Sequence, residues 1–359
     1  MIIESPLDLV FRNLFYKLPT FAGVHDVFLK LEGLSITGSI KIKTAIALVE
    51  DLEKKGLATP HETVLIESSS GNLGIALALV CAVKGYEFIC VTDPNANRAA
   101  VKGIELYGAQ VIEVHERDEL GGFLGTRLKK IRQMLRSNKN AVWLNQYANK
   151  PNKDAHAKQT GEEIAREFAN VDWVFVGTGT TGTFGGVSER LRQSFPKIKV
   201  VAVEPEGSVT FGRAPAKRNI PGIGTSVRPK LADYAKPDII VSISEEKTVE
   251  ACHAFVRDRH LLVGGSTGSV LAAVQELASE FRPGDTIVAI SPDMGEKYMD
   301  TVYDPAWVEN FVLAKAALAA SAVKSRNGHS NGKPLSVPLP GHAELPLLPM
   351  LAELAEATS

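Results

Sequence analysis

Short apolar runs alternate with helical stretches along most of this chain, and no other feature limits its possible folds as tightly. Thr63-Val-Leu-Ile-Glu67, Glu87-Phe-Ile-Cys-Val-Thr92 and Gln110-Val-Ile-Glu-Val114 are separated by helical segments through Ala76–Val80 and Asn97–Tyr107, and a basic helix over Leu124–Arg136 follows. A second block repeats the logic: helix Ala155–Phe168, then Trp173-Val-Phe-Val176, Lys199-Val-Val-Ala-Val203, Ile239-Ile-Val-Ser-Ile243 and Thr286-Ile-Val-Ala-Ile290 with helices between them. Strand–helix repetition of this kind predicts parallel sheets flanked by helices, an α/β fold. With 359 residues, two such domains each bury a core. Residues 1–34 offer one strand, Val27–Leu31.

Composition excludes several classes. At 45% hydrophobic and 23% charged the chain is ordinary for a globular protein. A net charge of −1 argues against a nucleic-acid or membrane-surface partner. No apolar run reaches the ~18 residues of a membrane helix, and Met-Ile-Ile-Glu-Ser-Pro reads as neither a signal nor a transit peptide. Cys81, Cys90 and Cys252 sit far apart in apolar segments, as reduced thiols of a cytoplasmic protein do. No metal-binding spacing is present.

The chemistry lies in the loops that follow strands. Thr37-Gly-Ser-Ile-Lys41 opens a helix, with Gly38 and Ser39 as turn and cap and Ala45, Ile46, Val49 and Leu52 at helical spacing. A lysine just inside a helix N-terminus opposes the macrodipole. One reason to place it there is a neutral, nucleophilic amine, or an imine to a carbonyl cofactor; a solvated lysine is the commoner case. Ser68-Ser-Ser-Gly-Asn-Leu-Gly74 joins a strand to a helix and offers backbone amides and hydroxyls to an anion. Gly179-Thr-Thr-Gly-Thr183 repeats that geometry without the Lys-Ser/Thr ending of a nucleotide loop. Gly264-Gly-Ser-Thr-Gly268 adds an exposed hydroxyl at a helix start, more often a cap than a ligand contact. An out-of-place lysine together with a phosphate cup is what pyridoxal 5′-phosphate requires.

Over residues 5–312 the chain resembles the fold-type II pyridoxal-phosphate enzymes of the cysteine synthase and cystathionine β-synthase family. Gly38-Ser-Ile-Lys41, Ser69-Ser-Gly-Asn72 and Gln146-Tyr-Ala-Asn149 with His156 and Thr160-Gly161 carry the resemblance. Gly179–Thr183, Gly222-Ile-Gly224, Gly265-Ser-Thr-Gly268 and Pro292-Asp-Met-Gly295 complete it, all in family order. The resemblance implies two domains of tryptophan synthase β-like architecture. One is formed by residues 1–34 with 146–320 and the other by 35–145, with a linker and tail over 321–359. It also implies a homodimer.

By the same resemblance Lys41 forms the internal aldimine and later transfers the proton, and Asn72 meets the ring hydroxyl. Gly179, Thr180, Thr181, Gly182 and Thr183 hold the phosphate, and Ser266 faces the pyridine nitrogen. Ser69, Ser70 and Gly71, with Gln146, take the substrate carboxylate. A neutral serine against the ring nitrogen suits β-elimination to an aminoacrylate and attack by a second nucleophile. His156 reads as a neutral histidine tying segments together.

Ile66–Ala78, Gly121–Arg127, Asn145–Asn149, Gly207–Gly212 and Pro221–Gly224 are similar to a narrower group, the N-(2-amino-2-carboxyethyl)-L-glutamate synthases of 2,3-diaminopropionate supply for siderophores and peptide antibiotics. These transferases take O-phospho-L-serine and L-glutamate. Such anionic substrates need a cation. Arg127 offers a bidentate fork and Tyr147 a hydroxyl, with Lys43 and Arg213 as weaker candidates. Arg127 also shares its helix with Lys129, Lys130 and Arg132, and such a face is usually solvated. The alternatives are a cysteine synthase using sulfide and a catalytically silent protein of the same fold.

Overall fold

The computed structural model describes residues 5–9, 13–23, 26–118 and 122–313. It contains two open sheets. The smaller has four parallel strands, β3 (Val64–Ser68), β4 (Glu87–Thr92), β5 (Gln110–Glu113) and β6 (Ala141–Trp143), in the order β5-β4-β3-β6. The larger has six: β1 (Phe15–Leu18), β2 (Asp26–Leu31), β7 (Trp173–Gly177), β8 (Lys199–Pro205), β9 (Ile239–Ile243) and β10 (Thr286–Ser291). Their order is β1-β2-β10-β7-β8-β9, and all pairings except β1 with β2 are parallel. The chain thus has the mixed α/β, parallel-sheet fold its alternation predicts. The N-terminal segment holds two strands rather than one, because the short β1 pairs along the edge of β2. It shows no alternation to announce it.

The central strands are buried on both faces, which explains their unbroken apolar sequence. On one side of the small sheet lie α1 (Lys41–Lys54), α2 (Asn72–Lys84) and α3 (Arg98–Leu106), packing Ile42, Val49, Leu77 and Ile104 with Leu65 and Phe88. On the other, Ile131 of α4 (Leu124–Ser137) meets Ile66 and Val91. On the large sheet α7 (Gly182–Ser194) sets Phe184, Val187 and Leu191 against Val174, Val176, Val200 and Val288. α8 (Glu245–Arg259) and α9 (Gly265–Glu276) pack together, and α9 lies on the large sheet. The helix expected over 155–168 begins earlier. It runs as α5 (Pro151–His156), a π turn (Ala157–Gly161) and α6 (Glu162–Glu167).

Strand order reverses at two places, and open α/β sheets bind ligands where it does. In the small sheet the reversal lies between β3 and β6, and in the large sheet between β7 and β10. The Ser68–Gly74 loop, Gln146, the Gly179–Thr183 loop and Pro292–Lys297 all leave these strand ends.

The described residues from Tyr298 on belong to a second unit. In its described part, Asp304 caps a short helix, Pro305–Val308, that runs into a π turn over Glu309–Leu313. The expected linker and tail over 321–359 lie outside the described residues. Among the described residues no helix is long and apolar enough to cross a membrane, and no group of three or more acidic, His or Cys side chains could hold a metal.

Candidate active site

Lys41 is the first residue of α1, half-buried. Burial holds its ammonium below the usual lysine range, with Asp293 opposing. Ser39 does not cap this helix as expected: Ile40 occupies the cap position in helical geometry, and the buried Ser39 hydroxyl has no partner. The turn is held instead by Ile40 N–H donating to Pro292 O (2.8 Å) and by a bridge between Ser39 and Asp293.

The Gly179–Thr183 loop is a cup of unspent donors. Thr181 sits at φ +65°, a conformation costly for a β-branched residue. It turns the backbone so that the N–H groups of Gly179, Thr180, Thr181, Thr183 and Phe184 make no hydrogen bond among the described residues. A Cβ on Gly179 would meet only Gly222 O, at 3.8 Å. Unpaired amides at the start of a thirteen-residue helix form an anion site. Asn152 Nδ2 supports the cup from below, donating to Thr180 Oγ1 (3.1 Å) and Gln146 O (2.8 Å).

A second set of free amides begins α2. Ser70, Asn72 and Leu73 N–H have no acceptor among the described residues. Ser69 is partly committed to this loop, its Oγ accepting from Gly74 N (2.9 Å) and Gly71 N (3.3 Å) and keeping only its own hydrogen to give. Gln146 is likewise engaged, Nε2 donating to Ser68 O at 2.9 Å. Asn72 is held on both sides: Nδ2 donates to Asp293 Oδ2 and Oδ1 accepts from Lys297 Nζ, each at 2.7 Å. Ser266, expected to be exposed, is 4% exposed in the first turn of α9, and its hydroxyl makes no hydrogen bond among the described residues.

Arg127 does not lie on the solvated face. Lys129 and Arg132 are exposed, but Arg127 is 9% exposed and its Nε lies 3.4 Å from Asp93 Oδ2 at the end of β4. Tyr147 is close enough that Arg127, Glu67 and Asp93 all act on its phenol, which burial pushes up. Lys43 and Arg213 are not free cations. Lys43 is buried against Glu32 (2.9 Å) and Glu163 (3.1 Å), and Arg213 pairs with Glu204 (3.3 Å). His156 is fully buried, its Nε2 within 3.1 Å of Thr44 Oγ1 and 3.2 Å of Thr183 Oγ1, and its Nδ1 3.2 Å from Thr160. Burial, then Lys41 and Lys43, hold it neutral, far below its usual range.

Sequence reasoning missed Glu67, Asp93, Asp293 and Lys297. Glu67 left a signal, an acid ending an otherwise apolar strand. For Lys297 there was none beyond its nearness to Pro292–Gly295.

Residues 8–293 match the family described as "Pyridoxal-phosphate dependent enzyme". The chain belongs to that family. Pyridoxal phosphate is accordingly its cofactor, and the anion cup, the neutral-leaning lysine and the unpartnered Ser266 hydroxyl fit such a group. Three solved structures are similar to this one. The O-acetylserine dependent cystathionine beta-synthase from Helicobacter pylori is 28% identical at a TM-score of 0.78, covering 84% of this chain and 98% of that one. O-ureido-L-serine synthase is 28% identical at 0.77, over 85% and 96%. A hydrogen sulfide-producing enzyme from Fusobacterium nucleatum is 31% identical at 0.76, over 83% and 98%.

Proposed function

We propose that this pyridoxal-phosphate-dependent enzyme is a β-replacement transferase that joins O-phospho-L-serine to L-glutamate, giving N-(2-amino-2-carboxyethyl)-L-glutamate and phosphate in 2,3-diaminopropionate supply. The observation that carries the reading is Arg127, drawn out of solvent to the carboxyl end of the small sheet beside Tyr147. Its fork suits a doubly charged leaving group or an acceptor carboxylate. In the reaction the Cβ–O bond to phosphate breaks and an N–Cβ bond to the glutamate amine forms; the substrate α-proton is removed and then returned to Cα, and the amine proton leaves with the phosphate.

The bound cofactor supplies the electron sink for loss of the α-proton. Lys41 holds the cofactor and carries that proton, which an amine kept below the ordinary lysine range can do. The amides of the 179–184 cup take the cofactor phosphate, Asn72 its ring hydroxyl and Ser266 its ring nitrogen. Ser69, Ser70 and Gly71, with Gln146, hold the α-carboxylate against the amides of α2. The neutral His156 braces α1 against α7. The enzyme acts as a cytoplasmic homodimer of two α/β domains, residues 1–34 with 146–320 and 35–145.

One observation favours a second reading, a cysteine synthase: Asp93 already offsets the charge of Arg127, and sulfide needs no cation. Absorbance of the cofactor-loaded protein separates the two. O-phospho-L-serine should displace its visible band, L-glutamate should restore it, and sulfide should leave it displaced; Arg127→Ala should abolish the glutamate response. Restoration by sulfide alone, with Arg127→Ala unaffected, replaces the proposal with the cysteine synthase. A band that neither O-phospho-L-serine nor O-acetyl-L-serine displaces leaves a silent protein of the fold.

A further inference from the structure

The segment that leaves β10 reaches every part of the site. Pro292 O takes Ile40 N–H from the lysine turn, Asp293 O takes Gly264 N–H at the start of α9, and Lys297 O takes Asn97 Nδ2 at the start of α3. Two of its charged side chains, Asp293 and Lys297, close on Asn72. Lys297 Nζ donates to Asn72 Oδ1 (2.7 Å), Thr37 O (2.8 Å) and Gly38 O (3.3 Å), while Asn72 Nδ2 donates to Asp293 Oδ2 (2.7 Å).

This arrangement leaves the Asn72 amide only one orientation. Turned over, its NH2 would face an ammonium that cannot accept and its oxygen would face a carboxylate that cannot donate, two repulsive contacts in a partly buried site. What remains to the side chain is a second N–H and a second lone pair. An ionised ring hydroxyl needs the N–H.

We propose that Lys297 is a positioning residue: with Asp293 it locks the Asn72 amide so that its free N–H addresses an anionic oxygen of the cofactor, and its charge offsets Asp293 there. The charged groups that act on one another beside Asn72 are Lys41 from α1 and Asp293, Glu296 and Lys297 from the segment after β10. His156 is neutral. Without Lys297, Asp293 loses one of the cations beside it and the amide is free to turn. The ring oxygen then holds its proton to higher pH.

This inference rests on the reading of Asn72 as the partner of the ring hydroxyl, and the experiment tests the two separately. The cofactor-loaded parent, Lys297→Met, Lys297→Arg and Asn72→Ala proteins are titrated by visible absorbance, with circular dichroism as a check on folding. The expected result is a midpoint raised by about one pH unit, a tenfold change in the acid constant, in Lys297→Met and in Asn72→Ala. Lys297→Arg should restore the parent value. A midpoint unmoved in Lys297→Met but raised in Asn72→Ala overturns the lock and spares the reading of Asn72. One unmoved in both overturns the two together. If Lys297→Met does not fold, Lys297→Ala, which likewise removes both donor and charge, is read by the same outcomes.

Discussion

Glu67, next to last in β3, is fully buried, and its carboxyl accepts Ser68 N–H (2.6 Å), Gln146 N–H (2.9 Å) and Trp143 Nε1–H (3.1 Å). Three donors and the nearby Arg127 favour the charged form, yet burial outweighs them and pushes the carboxyl from 4.5 up to about 7. The folded protein therefore keeps a proton that the unfolded chain releases. The resulting stability is fully present below pH 4.5 and is lost as pH rises to about 7, amounting to about 3 kcal/mol. Glu67→Gln should flatten this part of the profile. Urea-midpoint differences between parent and variant, measured from pH 4.5 to 7.5, check it; a parallel pair of curves would refute it. The acid was visible in the sequence, but two of its three donors, Trp143 Nε1–H and Gln146 N–H, come from a strand and the turn after it that no local pattern joins to it.

At the scale of elements, the start of α7 shows how packing builds the site. A Cβ on Gly182 would run into the Asn152 side-chain amide, which holds both Thr180 and Gln146. Gly182→Ala should displace Asn152, weaken cofactor binding at least about tenfold and cost about 1–3 kcal/mol of stability. Cofactor titration by fluorescence and thermal unfolding measure the two effects. Long, regular elements were legible in the sequence: β4 and β9 fall on their expected residues, and α4 within one. What escaped was short or cooperative. β6 has three half-buried residues and no alternation, yet it delivers Gln146 and Tyr147. The π turn at Ala157–Gly161 arises where Thr160 turns to His156 one turn back and Gly161 packs on Arg190, a residue distant in sequence.

Across the residues up to Lys297, four buried charges join the parts. Lys30 of β2 and Lys43 of α1 share Glu32 and Glu163, with contacts of 2.6–3.3 Å and almost no exposure. Burial alone would raise the Glu163 carboxyl, but Lys43 and Lys30 outweigh it and hold it below its usual range. Lys43→Met leaves a carboxylate uncompensated in the interior and should cost about 3–5 kcal/mol. Calorimetry checks this, and because the cluster is dry, the loss should persist in high salt. Sequence reading weighed Lys43 as a substrate cation, since its partners lie on strands and helices that only the fold brings together.

The unspent amides at Gly179–Phe184 have a consequence for the whole folding equilibrium. An anion that fills the cup binds the native state alone, so mass action shifts the equilibrium toward it, by about 2.7 kcal/mol at a hundredfold excess over the dissociation constant. The cofactor is thus a folding ligand as well as a reagent. The steady level of this protein then follows the supply of a small molecule, and scarcity removes the enzyme itself along with its activity.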